Sequence, residues 1–300
     1  MFDKFFFQEE IRDGFLISET MKRAWANQLD VLEAFDRVCK KHRLEWFAGY
    51  GTLLGAVRHK GYVPWDDDID IVMKRNDYMA FLSVAKDELP SEYGIYSLYT
   101  SESTSPAAAI MNRKDIDEDD ELTKKYYEFP YKTGIDLFPL DFIPDDDQIA
   151  HNLKIIYGYI YQTGYDFNAY KESGQLNERL DEIERLTGQS FYDTPTIQKQ
   201  IWLLSEAVAT MYNEDEAKGI AWLPDLVTVS LDCWYNKECY DGAIKMRFEN
   251  ITVNVPVGYE EILSTYYGDY MVPKKIGARH DYPFYKKQEK IVKQRKGLML

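Results

Sequence analysis

At 300 residues, 45% hydrophobic and 29% charged, the chain is long enough to bury a full core, as one large domain or one domain with a substantial insertion. Its net charge of −15 lacks the basic footprint of a nucleic-acid binder, and no apolar run approaches a bilayer span. Phe5-Phe6-Phe7 turns acidic at Glu9-Glu10, the wrong flank for a signal peptide, and Cys39, Cys233 and Cys239 lack metal spacing, so reduced thiols and a cytoplasmic location are expected.

In chain order, Trp25, Leu29, Leu32, Phe35 and Val38/Cys39 recur at helical spacing and predict a packing helix from about residue 19 to Lys41. Leu44 to Ala48 reads as the first sheet strand. It leads into Gly49-Tyr50-Gly51, a turn whose glycines allow a ligand close to the backbone, and then into a short helix from Thr52 to Arg58 whose start suits a phosphate. Asp68 to Met73 is a strand, and Asn76 to Leu89 a helix capped by Asn76 or Asp77 with Met79, Phe81/Leu82 and Val84/Ala85 inward. Strands follow at Tyr93–Thr100 and Ala107–Asn112, then an acidic solvated loop at Asp115–Glu121 and a buried strand from Gly134 to Phe142. From Asp146 to about Asn213 the pattern is helical and crowded with Tyr157, Tyr159, Tyr161, Tyr165, Phe167 and Tyr170. Most of these rings read as core, although a few could box a quaternary ammonium. A hairpin turning at Glu249-Asn250 and a helix from Gly258 to Tyr267, ended by Gly268, complete the regular elements. Between Lys274 and Lys296, nine Lys and Arg face only Asp281 and Glu289; this basic tail is either a solvated terminal helix or a contact for phosphate or a membrane surface.

Asp66, Asp67, Asp68 and Asp70 form the densest chemistry. An acidic run is commonly a solvated loop, but here it follows Pro64-Trp65 and alternates with Ile69 and Ile71, which places it at the edge of the core. Side chains of Asp68 and Asp70 on one strand face lie about 7 Å apart and repel each other without a cation between them. Hard oxygen donors on a rigid element suit Mg2+ or Mn2+. An EF-hand reading fails, because its sixth and twelfth positions fall on Ile71 and Asp77 instead of Gly and Glu. In the Gly134–Phe142 strand, Asp136 and Asp141 need partners when buried, and either could pair with an Arg.

Gly49-Tyr50-Gly51-Thr52-Leu53-Leu54-Gly55-Ala56-Val57-Arg58-His59, followed by Pro64-Trp65-Asp66-Asp67-Asp68-Ile69-Asp70, resembles the signature of the LicD family. That family comprises bacterial phosphocholine transferases related to fukutin and fukutin-related protein, within the nucleotidyltransferase superfamily. The superfamily pattern, Gly-Ser/Thr and then Asp-x-Asp on a strand, is filled by Gly51-Thr52 and Asp68/Asp70, with a slightly long spacer at residues 53 to 67. Further echoes lie at Gly134–Pro139 and from Gly258 to Met271.

The resemblance implies an α+β fold: a nucleotidyltransferase-like mixed β-sheet core flanked by helices, with a helical insert. The expected layout is a catalytic core with an N-terminal helix over 1–145, an insert setting acceptor specificity over 146–235, and a hairpin, helix and basic tail completing the core over 236–300. It implies Asp68, Asp70 and Asp136 as catalytic and metal residues, Asp136 being preferred to Asp141 for its Asp-x-Phe-Pro context. Gly49, Gly51, Thr52, Arg58 and His59 would bind nucleotide and phosphate. The implied reaction moves phosphocholine from CDP-choline, with CMP as leaving group, to a cell-surface glycan or a lipid-linked precursor, with contact at the inner face of the membrane. CDP-ribitol and CDP-glycerol are alternative donors. An Asp-x-Asp nucleotide-sugar glycosyltransferase is the other enzymatic reading, but it does not require Gly-Thr upstream.

Overall fold

A computed structural model of the chain describes residues 2–100, 105–116, 120–192, 196–274 and 282–295. A small hairpin, β1 (Glu10–Arg12) and β2 (Phe15–Ile17), precedes α1 (Glu19–His42), which Ser18 caps through the amide of Met21. The expected stripe holds: Trp25, Leu29, Leu32, Phe35, Val38 and Cys39 are all buried. Arg43 in the left-handed region stops the helix, and Lys40, Lys41 and His42 sit where the helix dipole favours cations.

The centre is a seven-stranded mixed sheet built on β3 (Phe47–Ala48), β4 (Asp70–Lys74), β5 (Gly94–Tyr96), β6 (Ala108–Met111), β7 (Gly134–Pro144), β8 (Ala217–Ala221) and β9 (Tyr235–Asn236). The order is β3-β4-β7-β6-β5, with β8 on the far half of β7 and β9 beside β8. Among the described residues only β4 and β7 run parallel, and their register sets Asp70 against Asp136 and Val72 against Phe138. Residues 214–236, for which no strand was expected, thus supply two of the seven. Between β3 and β4 lie α2 (Tyr50–Leu54) and a π-turn at Gly55–His59; α3 (Arg75–Glu88) follows β4.

Several boundaries differ from expectation, each for a local reason. The helix predicted at 52–58 starts two residues earlier and widens into the π-turn. The α3 helix starts at Arg75, so neither Asn76 nor Asp77 caps it; its inward face uses Tyr78, while Met79 points outward. The 93–100 strand shrinks to β5 because Ser97 Oγ accepts the amides of Tyr99 and Thr100 and turns the chain. The acidic 115–121 stretch ends in α4 (Asp120–Lys125), and part of it lies outside the described residues, as do residues 101–104 of the Ser/Thr-rich turn.

Helices α5 (Asp147–Tyr165), α6 (Phe167–Glu172), α7 (Leu176–Thr187), α8 (Ile197–Ala209) and α9 (Leu223–Thr228) build a second core. Tyr157, Tyr161 and Phe167 are buried in it, Tyr159 and Tyr170 flank the Arg179 guanidinium, and Tyr165 is exposed. An ion-paired group joins the two cores: Arg75 donates to Asp141 at 2.8 and 2.7 Å and also pairs with Glu206, all three buried. The predicted hairpin is present as β10 (Ala243–Phe248) and β11 (Ile251–Pro256), with Glu249 at positive φ in its turn. Then α10 (Tyr259–Tyr267) ends at Gly268, and α11 (Lys286–Arg295) docks through Gln288 on the Lys132 backbone. Cys39, Cys233 and Cys239 are buried, and none is in a disulfide. No described helix is long and apolar enough to cross a membrane.

Candidate active site

The acidic loop is fixed before it reaches β4. Tyr62 stacks on Trp25 at 4.2 Å and donates to Gln28, and Gln28 in turn donates to the carbonyl of Asp67 at 2.7 Å. Asp67 is fully buried, and its Oδ2 accepts the amide of Phe284 at 2.7 Å, which ties the C-terminal segment to the loop. Asp66, Asp67 and Asp68 can each bring one oxygen within 4.8 Å of the others. Asp67 is committed to Phe284, and of the acidic run Asp66, Asp68 and Asp70 line the cavity.

That cavity, about 530 Å3, runs between α2, the acidic loop, β7, α9 and α10. Asp68 lies just ahead of β4 instead of within it, yet the alternation persists: Ile69 and Ile71 are inaccessible to solvent while Asp68 and Asp70 are half-buried on the cavity side. Burial, followed by the charges of Asp68, Asp136, Asp66 and Asp225, holds the Asp70 carboxyl well above the usual carboxylate range. Such hard oxygen donors, clustered and repelling one another, fit a cation of the Mg2+ or Mn2+ type.

Asp136 and Asp141 separate cleanly. Asp136 shares a face of β7 with Phe138 and stands in register beside Asp70. Asp141, five residues on and on the opposite face, is bound by Arg75, which leaves it outside the acidic cluster. Burial pushes its carboxyl up to about 6 against the pull of Arg75.

The glycine turn serves the acids directly. Gly49 donates its amide to the Asp70 carbonyl at 2.9 Å, and buried Thr52 accepts the amide of Asp70 through Oγ1 at 2.9 Å. A Cβ on Gly51 would lie 1.9 Å from Asp66 Oδ2, so the residue must be glycine for the acid to sit there. Arg58 lines the cavity and donates to the Tyr270 carbonyl at 2.5 Å; burial lowers its pKa. His59 turns away, 2.9 Å from Asp13, outside the cavity wall; burial and Arg58 depress its pKa. Of the tail, Lys274 reaches the cavity, while Lys275, Arg279, His280, Asp281 and Lys296 lie outside the described residues.

The rest of the wall was not foreseen. Tyr50, at φ +40° in a region that L residues rarely adopt, donates its hydroxyl to Asp225 Oδ2 at 2.7 Å. Burial and then Asp225 raise the pKa of that phenol, so it keeps its proton. Phe138, Trp222 and Tyr266 stand around it. None of the aromatics of α5 and α6 lines the cavity. Asp225 lies in the first turn of α9, behind Pro224, a placement that says nothing of chemistry.

Residues 43–159 match the family model described as LicD/FKTN/FKRP, nucleotidyltransferase domain. This stretch belongs to the LicD family. The match spans β3, the glycine turn, the acids, β4 and β7. Over a longer span, the chain is 27% identical over 257 residues to the lipopolysaccharide cholinephosphotransferase LicD of Haemophilus influenzae, covering 81% of this chain and 88% of that protein. Shorter stretches match uncharacterized proteins of Rickettsia typhi (43% over 44 residues) and Rickettsia prowazekii (49% over 37 residues), each alignment covering 14% of the relative.

Proposed function

We infer that this LicD-family chain is a metal-dependent transferase moving phosphocholine from CDP-choline onto a hydroxyl of a cell-surface glycan or its lipid-linked precursor. The observation that carries the reading is the convergence of Asp66, Asp68 and Asp70 on one cavity, with Asp136 in register beside Asp70. Similarity to a lipopolysaccharide cholinephosphotransferase over most of the chain supports the choice of transferred group and acceptor class.

Asp68, Asp70 and Asp136 would hold Mg2+ or Mn2+, which supplies neutralisation of the diphosphate and of the departing CMP. Arg58 and Lys274 face the same space and add positive charge for the phosphates. The acceptor hydroxyl attacks the β-phosphorus in line; the new P–O bond forms as the bond to CMP opens, and the hydroxyl proton passes to a carboxylate of the cluster. The chain's own work is positioning: Gly49 and Thr52 hold the backbone of Asp70, and the Tyr62–Gln28–Asp67 chain holds the loop. The basic helix α11, with Lys286, Lys287, Lys290, Lys293 and Arg295, suits work at the inner face of a membrane bearing the acceptor.

The test is CMP release by purified protein given CDP-choline and a glycan acceptor. Release with Mg2+ that stops on chelation is expected. Release from CDP-ribitol or CDP-glycerol but not CDP-choline would overturn the donor assignment, and turnover indifferent to chelation would overturn the metal. UDP released from a UDP-sugar instead would favour the glycosyltransferase reading.

A further inference from the structure

The lining of the cavity has two chemically different parts. One holds the carboxylates of the acidic loop and β4. The other is walled by Tyr50, Phe138, Trp222 and Tyr266, brought together from α2, β7, the start of α9 and α10, with the carboxylate of Asp225 among them. Ring centroids are 5.3 Å apart for Tyr50 and Phe138, 4.7 Å for Phe138 and Trp222, and 5.3 Å for Tyr50 and Tyr266. The interplanar angles are 75°, 68° and 69°, so the rings meet edge to face and form a cup instead of a closed stack. Ring faces and a carboxylate attract the same kind of guest: a bulky, weakly hydrated cation.

We propose that this aromatic cup, with Asp225 in its wall, is the seat for the quaternary ammonium of the transferred alcohol. The proposal rests on the phosphocholine reading above and adds the residues that recognise the head group. Asp225 is held by the Tyr50 hydroxyl, and Tyr50 directly precedes Gly51 in the acidic part, so one short segment spans both ends of the donor. Phe138 makes the same link from β7, two residues beyond Asp136 on the same strand face. A neutral polyol in this seat would gain neither the attraction of the Asp225 carboxylate nor that of the ring faces. The cup therefore selects choline over ribitol or glycerol.

The full chain, with Mg2+, is titrated calorimetrically with CMP, CDP-choline and the CDP ester of 3,3-dimethylbutanol, which copies choline without its charge. CDP-choline should bind at least tenfold more tightly than the neutral copy. Asp225→Asn, which keeps the shape of the wall, should remove most of that preference, and Trp222→Leu should weaken CDP-choline at least tenfold, with CMP affinity within twofold of wild type in both. If CMP binds but the two esters bind alike, or if both variants keep wild-type affinity for CDP-choline, the seat is overturned while the nucleotide reading stands. If no cytidine nucleotide binds, the function reading fails, and the seat is decided by choline against 3,3-dimethylbutanol themselves. Equal or undetectable binding of those two overturns it.

Discussion

Single side chains decide whether the acidic part of the cavity works. Asp70 is surrounded by like charge, so Asp70→Asn relieves repulsion while removing a proposed cation ligand. Turnover should fall by more than the roughly 10–100-fold typical of groups one shell further out, with the thermal midpoint unchanged or raised. Near-normal kcat in the purified variant would remove Asp70 from the metal site. At Gly51, steric pressure on the substituent comes first from Asp66 and not from a phosphate. Gly51→Ala should therefore displace the acid and weaken Mg2+ binding itself, read as loss of the Mg2+-induced rise in midpoint without any nucleotide. A full Mg2+ response would show that Asp66 is dispensable. Arg58→Lys keeps the charge but loses the planar fork that can hold the Tyr270 carbonyl and a phosphate together. Donor binding should weaken by about 1–3 kcal/mol with little change in midpoint; a normal donor KM and kcat would leave Arg58 as a structural tie.

At the scale of elements, α2 and β4 act as one unit because Thr52 accepts the amide that opens β4. Thr52→Val removes the acceptor and leaves a half-buried N–H unsatisfied, at a cost of about 1–3 kcal/mol. Thr52→Ser keeps the oxygen. The valine variant should lose both stability and kcat, and the serine variant should recover kcat. Equal kcat in the two would mean that the hydrogen bond positions nothing. The parallel pairing of β4 with β7 does the remaining work, since a one-residue slip would turn Asp136 to the other face and exchange it for Ile135 or Leu137.

Across the whole molecule, the group of Arg75, Asp141 and Glu206 joins the sheet core to the helical core through α3, β7 and α8. Asp141 has a folded pKa of about 6 against an ordinary value of 3.8, because it is buried. The folded state thus holds the extra proton between those values, and this contribution to stability is present below about pH 4 and lost as pH rises through 6. Over that window it amounts to about 3 kcal/mol. The unfolding free energy of wild type minus that of Asp141→Asn should fall by roughly this amount between pH 4 and pH 6.5. A flat or rising difference would show that Arg75 keeps Asp141 ionised throughout. Arg75→Met, which strands two buried carboxylates, should destabilise by about 3–5 kcal/mol.

Much of the frame was legible locally. The α1 stripe, the β10–β11 hairpin, the Gly268 stop and the alternation at Asp68–Ile71 follow from periodicities of covalent geometry that any 10 or so neighbouring residues display. The glycine turn and the acids stood side by side in the chain, and the family resemblance rested on them. What required tertiary structure was the choice of partners across long loops. Asp136 and Asp141 look equivalent in one strand; strand parity and register give one to Asp70 and leave the other to Arg75. His59, which the resemblance implied as a phosphate contact, gained Asp13 as its neighbour only through the fold. Of the rings crowded in the insert, Tyr157, Tyr161 and Phe167 went to its core, as expected of most, because a helix pair must bury its own apolar stripe first, and the cavity drew its rings from four other elements. Asp225 had no local signature at all, since a carboxylate acquires its role from the groups that packing places around it, and packing is a property of the whole fold.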